Sequence, residues 1–523
     1  MRPLSQVTLP AAIVLSLVQI PQGALAQGVT AAELWSSWQE AVASTGGALS
    51  AEERREGNQL ILDALVFKPE ADEETAFRID TLTLVSQVDG SVGVVLPETF
   101  PLRVDLAGTR GETAPGQLVF SITAPDLGVT IIGLGERAEF QAIGPSVSVT
   151  LDGIAPPAPG GEEITLAATV ENLELRYKHD LAVALPSVEA ALTLGTAELT
   201  ARAVSGPERH TEVTSGIESL SLFAAAAFPP STSDLTRSAT QGGSTPPVAP
   251  LLTALADGLL LDLRLSLGPS NLHADMVEPG REPGRARFDL GSGAASLKLD
   301  QTVLAWSAAM TDFLMTGPVP DIDGAETMVE VSLGEYRNVI SLGLNGFAGS
   351  QDWAFAHLLR DLAFDDAGWA DLDPTGMLPN TPLTLAFDMD GRYGLDPAAL
   401  EPGWQPDPRA PHPLRDFSFD INELAFSGLD LSVTGTGGLG FDFRDLVTFD
   451  GVPAPAGRLQ FVTRGAYALI DRLSGAALIS EAEATQARQA LLLIGQAGED
   501  EDTLATDVDF RDKALYLNGQ RIR

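Results

Sequence analysis

The sequence predicts a mainly β fold with minor α, made of large twisted antiparallel sheets, with room for an elongated form and with a few packing helices. Three observations predict it. Apolar residues recur at every second position in many segments, which gives a strand one apolar and one polar face. The 51 glycines and 35 prolines supply the turns that a chain of many short strands requires. The sequence does not alternate continuous apolar strands with helices, as parallel α/β sheets do.

The alternating segments come in order. Ile164, Leu166, Ala168 and Val170 are followed, after an expected turn at Glu171-Asn172, by Leu173, Leu175 and Tyr177. Leu259, Leu261, Leu263, Leu265 and Leu267 share one face, with Asp262, Arg264 and Ser266 on the other. Later sets are Leu383, Leu385, Phe387 and Met389; Phe417, Phe419 and Ile421; Leu429, Leu431 and Val433; and Leu439, Phe441 and Phe443. Strict alternation predicts that the apolar face of each is buried and the other wet.

Helices are fewer. Thr30 and Glu33 have capping-box spacing. Leu34, Trp35, Trp38, Ala41 and Val42 then fall on one helical face, and Gly46-Gly47 ends the helix. Two tryptophans at this spacing read as core anchors rather than a ligand box. A helix is expected near Gln351–Phe364, and a helical pair at about 466–496. Leu469, Ile470, Leu473 and Ala477 form the face of the first of that pair. Ala490, Leu491, Ile494 and Ala497 form that of the second, which follows Ser480 with Glu483 in capping spacing. Two strands, Leu504 to Phe510 and Ala514 to Ile522, close the chain, with Asn518-Gly519 as turn chemistry.

Residues 1–26 read as a secretory signal peptide: Arg2, an apolar run from Leu9 to Ile20, then Ala24-Leu25-Ala26, with cleavage expected between Ala26 and Gln27. The run is shorter than the ~20 residues that span a bilayer. The expected organisation is a β-rich region with a leading helix over 27–228, a Pro/Ser/Thr/Gly linker or loop over 229–250, and a second β-rich region over 251–523. Further loops are expected from Leu395 to Pro413, from Met276 to Arg285, and at Glu499-Asp500-Glu501-Asp502.

Composition excludes several classes. The formal charge of −39, from 71 acids against 32 bases, repels phosphate backbones, so nucleic acid is not an expected partner. The acids are dispersed and read as a solvated surface. With no cysteine there are no disulfides, no lipid anchor through cysteine, no thiol catalysis and no thiolate metal site. No later segment reads as a membrane-spanning helix; Leu251–Leu267 is apolar but carries Asp257, Asp262 and Arg264. The expectation is a released, soluble, periplasmic protein.

Motif matches are weak. Gly435-Thr436-Gly437-Gly438-Leu439-Gly440 has the G-x-G-x-x-G spacing, but the dinucleotide site needs a helix next, and Phe441-Asp442-Phe443 alternates like a strand. A hairpin turn is the expected reading. Gly133-Leu134-Gly135 with Ala138 fails similarly, since Gly144-Pro145 cuts short any helix. Asp321, Asp323, Gly324 and Glu330 match four positions of a calcium loop. Val319 at its first position and Glu326 at its eighth make a plain acidic turn the better reading. Of His179, His210, His273, His357 and His412, no pair has metal-ligand spacing on a helix. No cofactor is expected. Seventy-one acids make chance carboxylate pairs plentiful, so none is assigned to glycoside hydrolysis.

Three parts of the chain carry a resemblance. They are Leu34-Trp35-Ser36-Ser37-Trp38 with Gly46-Gly47; Gly368-Trp369 through Leu378-Pro379-Asn380-Thr381-Pro382-Leu383-Thr384-Leu385; and the C-terminal helices ending in Leu515-Tyr516-Leu517-Asn518-Gly519. In these the chain resembles the exported bacterial domain-of-unknown-function family twenty-one twenty-five. The resemblance implies a β-rich protein of the Gram-negative envelope and no activity. A more distant fold-level likeness is to AsmA-type envelope proteins, associated with lipid homeostasis.

The leading functional expectation is a non-enzymatic envelope module that binds an apolar ligand such as a lipid, or a partner protein, because one-faced strands without a catalytic signature can leave an apolar groove. The alternatives are a hydrolase of envelope polysaccharide or lipid, and a purely structural or assembly protein. A concave pocket holding converging acids, or a histidine with a partner, around His179, His273 or His412 favours the hydrolase. A continuous apolar trough favours the binder.

Overall fold

The structure, a computed structural model, describes residues 28–70, 75–106, 116–155, 163–205, 209–232, 248–280, 283–320, 326–345, 349–396, 413–498, 500 and 502–523. The signal segment with Ala26 and Gln27, most of the 229–250 stretch, Asp321, Asp323 and His412 lie outside the described residues. The fold is mainly β with a minor helical component, and every pairing with a described register is antiparallel. Two compact units form. One runs to Ala227 and takes in Ser266–Arg285; the other comprises Phe228–Leu265 and Ala286–Arg523.

Helix α1 (Ala31–Ser44) opens the described chain. The strands that follow it are β1 (Ala48–Glu56), β2 (Gln59–Lys68), β3 (Ala76–Ser86), β4 (Ser91–Val95), β5 (Thr99–Leu106), β6 (Gly116–Thr123) and β7 (Gly128–Ile132). Next come β8 (Arg137–Ala155), β9 (Glu163–Asp180), β10 (Ser187–Leu194), β11 (Ala197–Val204), β12 (His210–Ile217) and β13 (Leu220–Ala227). Helix α2 (Val248–Ala256) precedes β14 (Leu260–Leu267), β15 (Ser270–Val277), β16 (Gly284–Leu290), β17 (Ser292–Leu299), β18 (Val303–Pro320), β19 (Glu326–Gly343) and β20 (Ser350–Phe364). Helix α3 (Asp366–Leu372) leads into β21 (Leu383–Leu395), β22 (Leu414–Gly428), β23 (Leu431–Asp442) and β24 (Ala454–Arg464). The chain ends with α4 (Ala466–Gly475), α5 (Glu481–Ile494), β25 (Gln496–Ala497), β26 (Thr503–Arg511), β27 (Ala514–Leu517) and β28 (Gln520–Arg521).

In the first unit α1 starts as its capping box dictates: Thr30 Oγ1 accepts from the Glu33 N–H at 3.3 Å, and Glu33 Oε2 accepts from the Thr30 N–H at 2.9 Å. Leu34, Trp35, Trp38, Ala41 and Val42 are buried, and Gly46 leaves the helix at φ +87°. The sheet begins as the meander β1–β2–β3 and then runs in two lanes. Thr83–Ser86 of β3 pair with β4, and Ala76–Ile79 pair with β5. The lanes β4–β7 and β5–β6 both end on β8, whose length β9 follows. β9 hands on to β10 and β13 in one lane, and to β11, β12 and β15 in the other. The turn expected at Glu171-Asn172 is instead a bend inside β9. Asn172 takes φ +53°, which asparagine tolerates better than most residues, and the strand continues.

In the second unit strands add edge to edge from β17 through β24, with β16 also on β18 and β14 on β17, and then β26, β27 and β28. Ala254 and Leu255 of α2 pack with Leu259 and Leu344 in a small core. The helical pair is present, and Ser480 with Glu483 forms the predicted capping box of α5. Its predicted apolar face is not buried, however. Ala484 is the buried residue of α5, and Leu492, Leu493 and Ile494 are exposed.

Four further expectations are corrected. Gln351–Phe364 is strand β20, not a helix. It pairs with β19 and β21 and is apolar on both faces, so its period of two is masked. In β14 the leucine stripe is not buried as expected: Leu263 is 39% and Leu265 41% exposed, while Asp262, paired with Arg264 at 2.8 Å, is 8% exposed. Leu429 lies outside its strand, in a two-residue turn with Asp430, both at positive φ. The glycine run 435–440 is neither a turn nor a dinucleotide loop. It lies inside β23, where Gly435 pairs with Phe461 and an added Cβ would sit 2.9 Å from that ring.

Candidate functional site: an apolar cavity

Register places the apolar residues of the first unit on one face, because directly paired residues point to the same side of a sheet. In one lane Val94 pairs with Val129, Val129 with Ala142, Ala142 with Leu175, Leu175 with Leu192, and Leu192 with Leu222. In the other lane Ile79 pairs with Leu102, Leu102 with Phe120, Ile122 with Val149, Val149 with Ala168, and Ala168 with Leu199. The apolar face is therefore continuous across the unit.

Helix α1 covers one part of it. Leu34, Trp35 and Trp38 pack with Leu62, Leu84 and Val92 in the largest buried cluster of the unit. The Trp35 indole N–H donates to Glu53 Oε1 at 2.8 Å, which satisfies its polar edge. Beside this cluster the face and the helix do not meet completely. They leave a cavity of about 410 Å³, within the range of small-molecule sites. Trp35 and Trp38 form its helical wall, and Phe77, Phe100, Ile122 and Phe140 are among the sheet residues lining it. Beyond α1 the same face is open: Leu199, Leu222, Leu272 and Met276 are each more than a third exposed. The two tryptophans are thus core anchors, as expected, and walls of the cavity as well.

Nearly all of the lining is apolar. The polar exceptions are Glu139 and Tyr177. Glu139 is exposed and pairs in register with Lys178, on the alternate face from Phe140 and Tyr177. Tyr177 is partly buried, and desolvation raises the pKa of its phenol above the usual tyrosine range. One residue pair further along β9, on the same face, His179 is 6% exposed. Its Nε2 lies 2.7 Å from the Gly135 carbonyl oxygen, and its Nδ1 has no hydrogen-bond partner.

Two other described histidines, His273 and His357, lie elsewhere. His273 is in β15, opposite Thr214 of β12. His357 is in β20, with Nδ1 at 3.4 Å from Asn338 Nδ2 and its ring edge-on to Tyr336. Glu330 of the acidic turn sits in β19 opposite Thr316. Among the described residues no three His, Asp or Glu side chains group as a metal site. No helix among them is long and apolar enough to cross a membrane. A second hollow, of about 490 Å³ beside α2, is lined by Leu252, Leu255 and Leu344, but also by Gln301, Thr302 and Asn345.

Sequence reading missed the sheet wall contributed by β3, β5 and β6. The signal was there: Phe77 and Ile79, Phe100 and Leu102, and Phe120 and Ile122 each alternate with polar or small partners. What alternation does not reveal is that two lanes curve past one helix. No family model, no curated protein and no solved structure matches this chain.

Proposed function

We propose that this protein is a non-enzymatic module of the bacterial envelope, exported to the periplasm, that binds an apolar ligand of the lipid class in the cavity beneath α1. The observation that carries the reading is the cavity itself: about 410 Å³ walled by Trp35, Trp38, Phe77, Phe100, Ile122 and Phe140. Placing a hydrocarbon chain there removes apolar surface from water on both sides, at about 25 cal/mol per Å². The lining offers no paired acids and no nucleophile with a base, so binding is the chemistry it supports. The signal-like segment 1–26 supports the envelope setting.

The test is native mass spectrometry of the full chain purified from the periplasm, with organic extraction of whatever accompanies it. The expected result is a hydrocarbon-bearing adduct released by extraction. Protein that carries neither lipid nor partner, and that takes up no lipid when it is supplied, counts against the reading.

A further inference from the structure

We infer that the binding site does not end with the cavity but runs out over β10 and β13, and that its ligand is a long-chain amphiphile whose hydrocarbon starts beneath α1 and lays its further carbons on that open face. The inference rests on the apolar-ligand reading and narrows it to ligands whose chain outreaches the cavity.

Register sets the path. β9 is the last strand to line the cavity, through Leu173, Leu175 and Tyr177. Beyond it Leu175 pairs with Leu192 of β10, and Leu192 with Leu222 of β13. In the next row Tyr177 pairs with Ala190, and Ala190 with Ala224. Directly paired residues share a face, so both rows continue the lining of the cavity. They extend it by two strand spacings, about 10 Å. The alanine row is lower than the leucine row, so a chain lying across the strands has a leucine ridge along one side.

The extension is apolar and uncovered. Val188, Ala190 and Leu192 of β10 and Leu222, Ala224 and Ala226 of β13 share this face. Leu222 is 42% exposed. Helix α1 packs on β1, β2 and β3, and β4, β7 and β8 separate β3 from β9 in this lane. The helix that walls the cavity therefore leaves Leu222 bare. Apolar surface in contact with water is unfavourable until something apolar covers it. A chain already seated in the cavity is the nearest occupant: it is tethered beside the face, and covering it is then an intramolecular step. No charged side chain stands in its way, since Leu192 is what lies between Leu175 and Leu222.

Alkylphosphocholines with chains of ten, twelve, fourteen and sixteen carbons test this. Their headgroup has no net charge, so the −39 charge of the protein does not bias the series. Each is used below its micelle threshold to displace the fluorescent apolar probe N-phenyl-1-naphthylamine from the full-length protein. A chain lying on a sheet is covered on one side. Each methylene added beyond the cavity therefore gains about half the free energy of full burial, and affinity is expected to rise about twofold per methylene up to the longest probe. Leu222→Asp sets a charge in the path; it flattens the rise for the longer chains and leaves the ten-carbon probe unchanged. Ser221→Asp, on the other face of β13, keeps the rise. In the unaltered protein, affinity that levels off or falls with length overturns the extension while leaving the cavity standing, and this comparison needs no variant to fold. A rise that persists in folded Leu222→Asp overturns the route over β13. A second copy seated on the face, seen in sedimentation as a concentration-dependent mass that Leu222→Asp abolishes, overturns it too. Displacement of the dye by none of the probes overturns the underlying reading as well.

Discussion

The Trp35 indole N–H donates to the Glu53 carboxylate across 2.8 Å, and this bond ties α1 to β1 at the rim of the apolar cavity. Trp35 is almost wholly buried. Its ring is at once core, cavity wall and helix anchor.

Trp35→Phe keeps most of the apolar contact and removes the bond to Glu53. The expected cost is about 1 to 3 kcal/mol, the worth of a hydrogen bond to a charged group. Trp35→Ala also empties the wall and is expected to cost about 3 to 5 kcal/mol. Urea unfolding of the two variants checks the order; equal stabilities would show that the ring does not anchor the helix.

The glycine run in β23 gives a prediction about the second unit. Gly437 takes φ +125°, a conformation that L side chains rarely adopt, and an added Cβ would press on the Arg458 carbonyl oxygen. Gly437→Ala is therefore expected to destabilise by about 1 to 3 kcal/mol. Gly440, in the same motif, has open space beside it. Gly440→Ala is expected to cost less than 1 kcal/mol, as ordinary strand substitutions do. Thermal melts of the pair check this. A dinucleotide loop or a tight turn would not sort the two glycines in this way.

Acid sensitivity is expected at the β17–β18 turn. Burial pushes the Asp300 carboxyl up, but the Thr302 hydroxyl and N–H, Lys298 and the Val303 N–H together outweigh it and hold the group at about 2. An unfolded aspartate titrates near ~4. Because the folded value is the lower one, the stabilisation is complete above about pH 4 and is lost as pH falls toward 2. Asp300→Asn removes that part of the pH dependence. Unfolding midpoints measured from pH 5 to pH 2 are expected to converge for the two proteins at the acid end and to separate above it.

The sequence made the β class legible, together with α1, its capping box, both members of the C-terminal helical pair and the Asn518-Gly519 turn, because each depends on residues close along the chain. Features set by distant partners were not legible. Segment 351–364 satisfies helical and strand periods alike; what decides it is pairing with β19 and β21, which cover Ala356 and Leu358 on one face while Phe355 and His357 occupy the other. The leucines of β14 mark a face correctly, but alternation does not say whether anything lies over it, and Leu263 and Leu265 remain open. The cavity has the same character. Trp35 and Trp38 were visible as an apolar helical stripe, whereas the wall from Phe77, Phe100 and Ile122 exists only once β3, β5 and β6 are in register.

The apolar cavity is tested most directly by the binding of N-phenyl-1-naphthylamine to the unaltered protein and to Ala142→Phe. Ala142 is buried, lines the cavity and pairs with Leu175, so a phenylalanine there fills part of the hollow, at an expected cost of about 1 to 3 kcal/mol. An open apolar cavity gives saturable binding by the unaltered protein, weakened at least about tenfold by an Ala142→Phe variant that still unfolds cooperatively. Binding that is absent from the unaltered protein, or that survives undiminished in a folded Ala142→Phe, contradicts it.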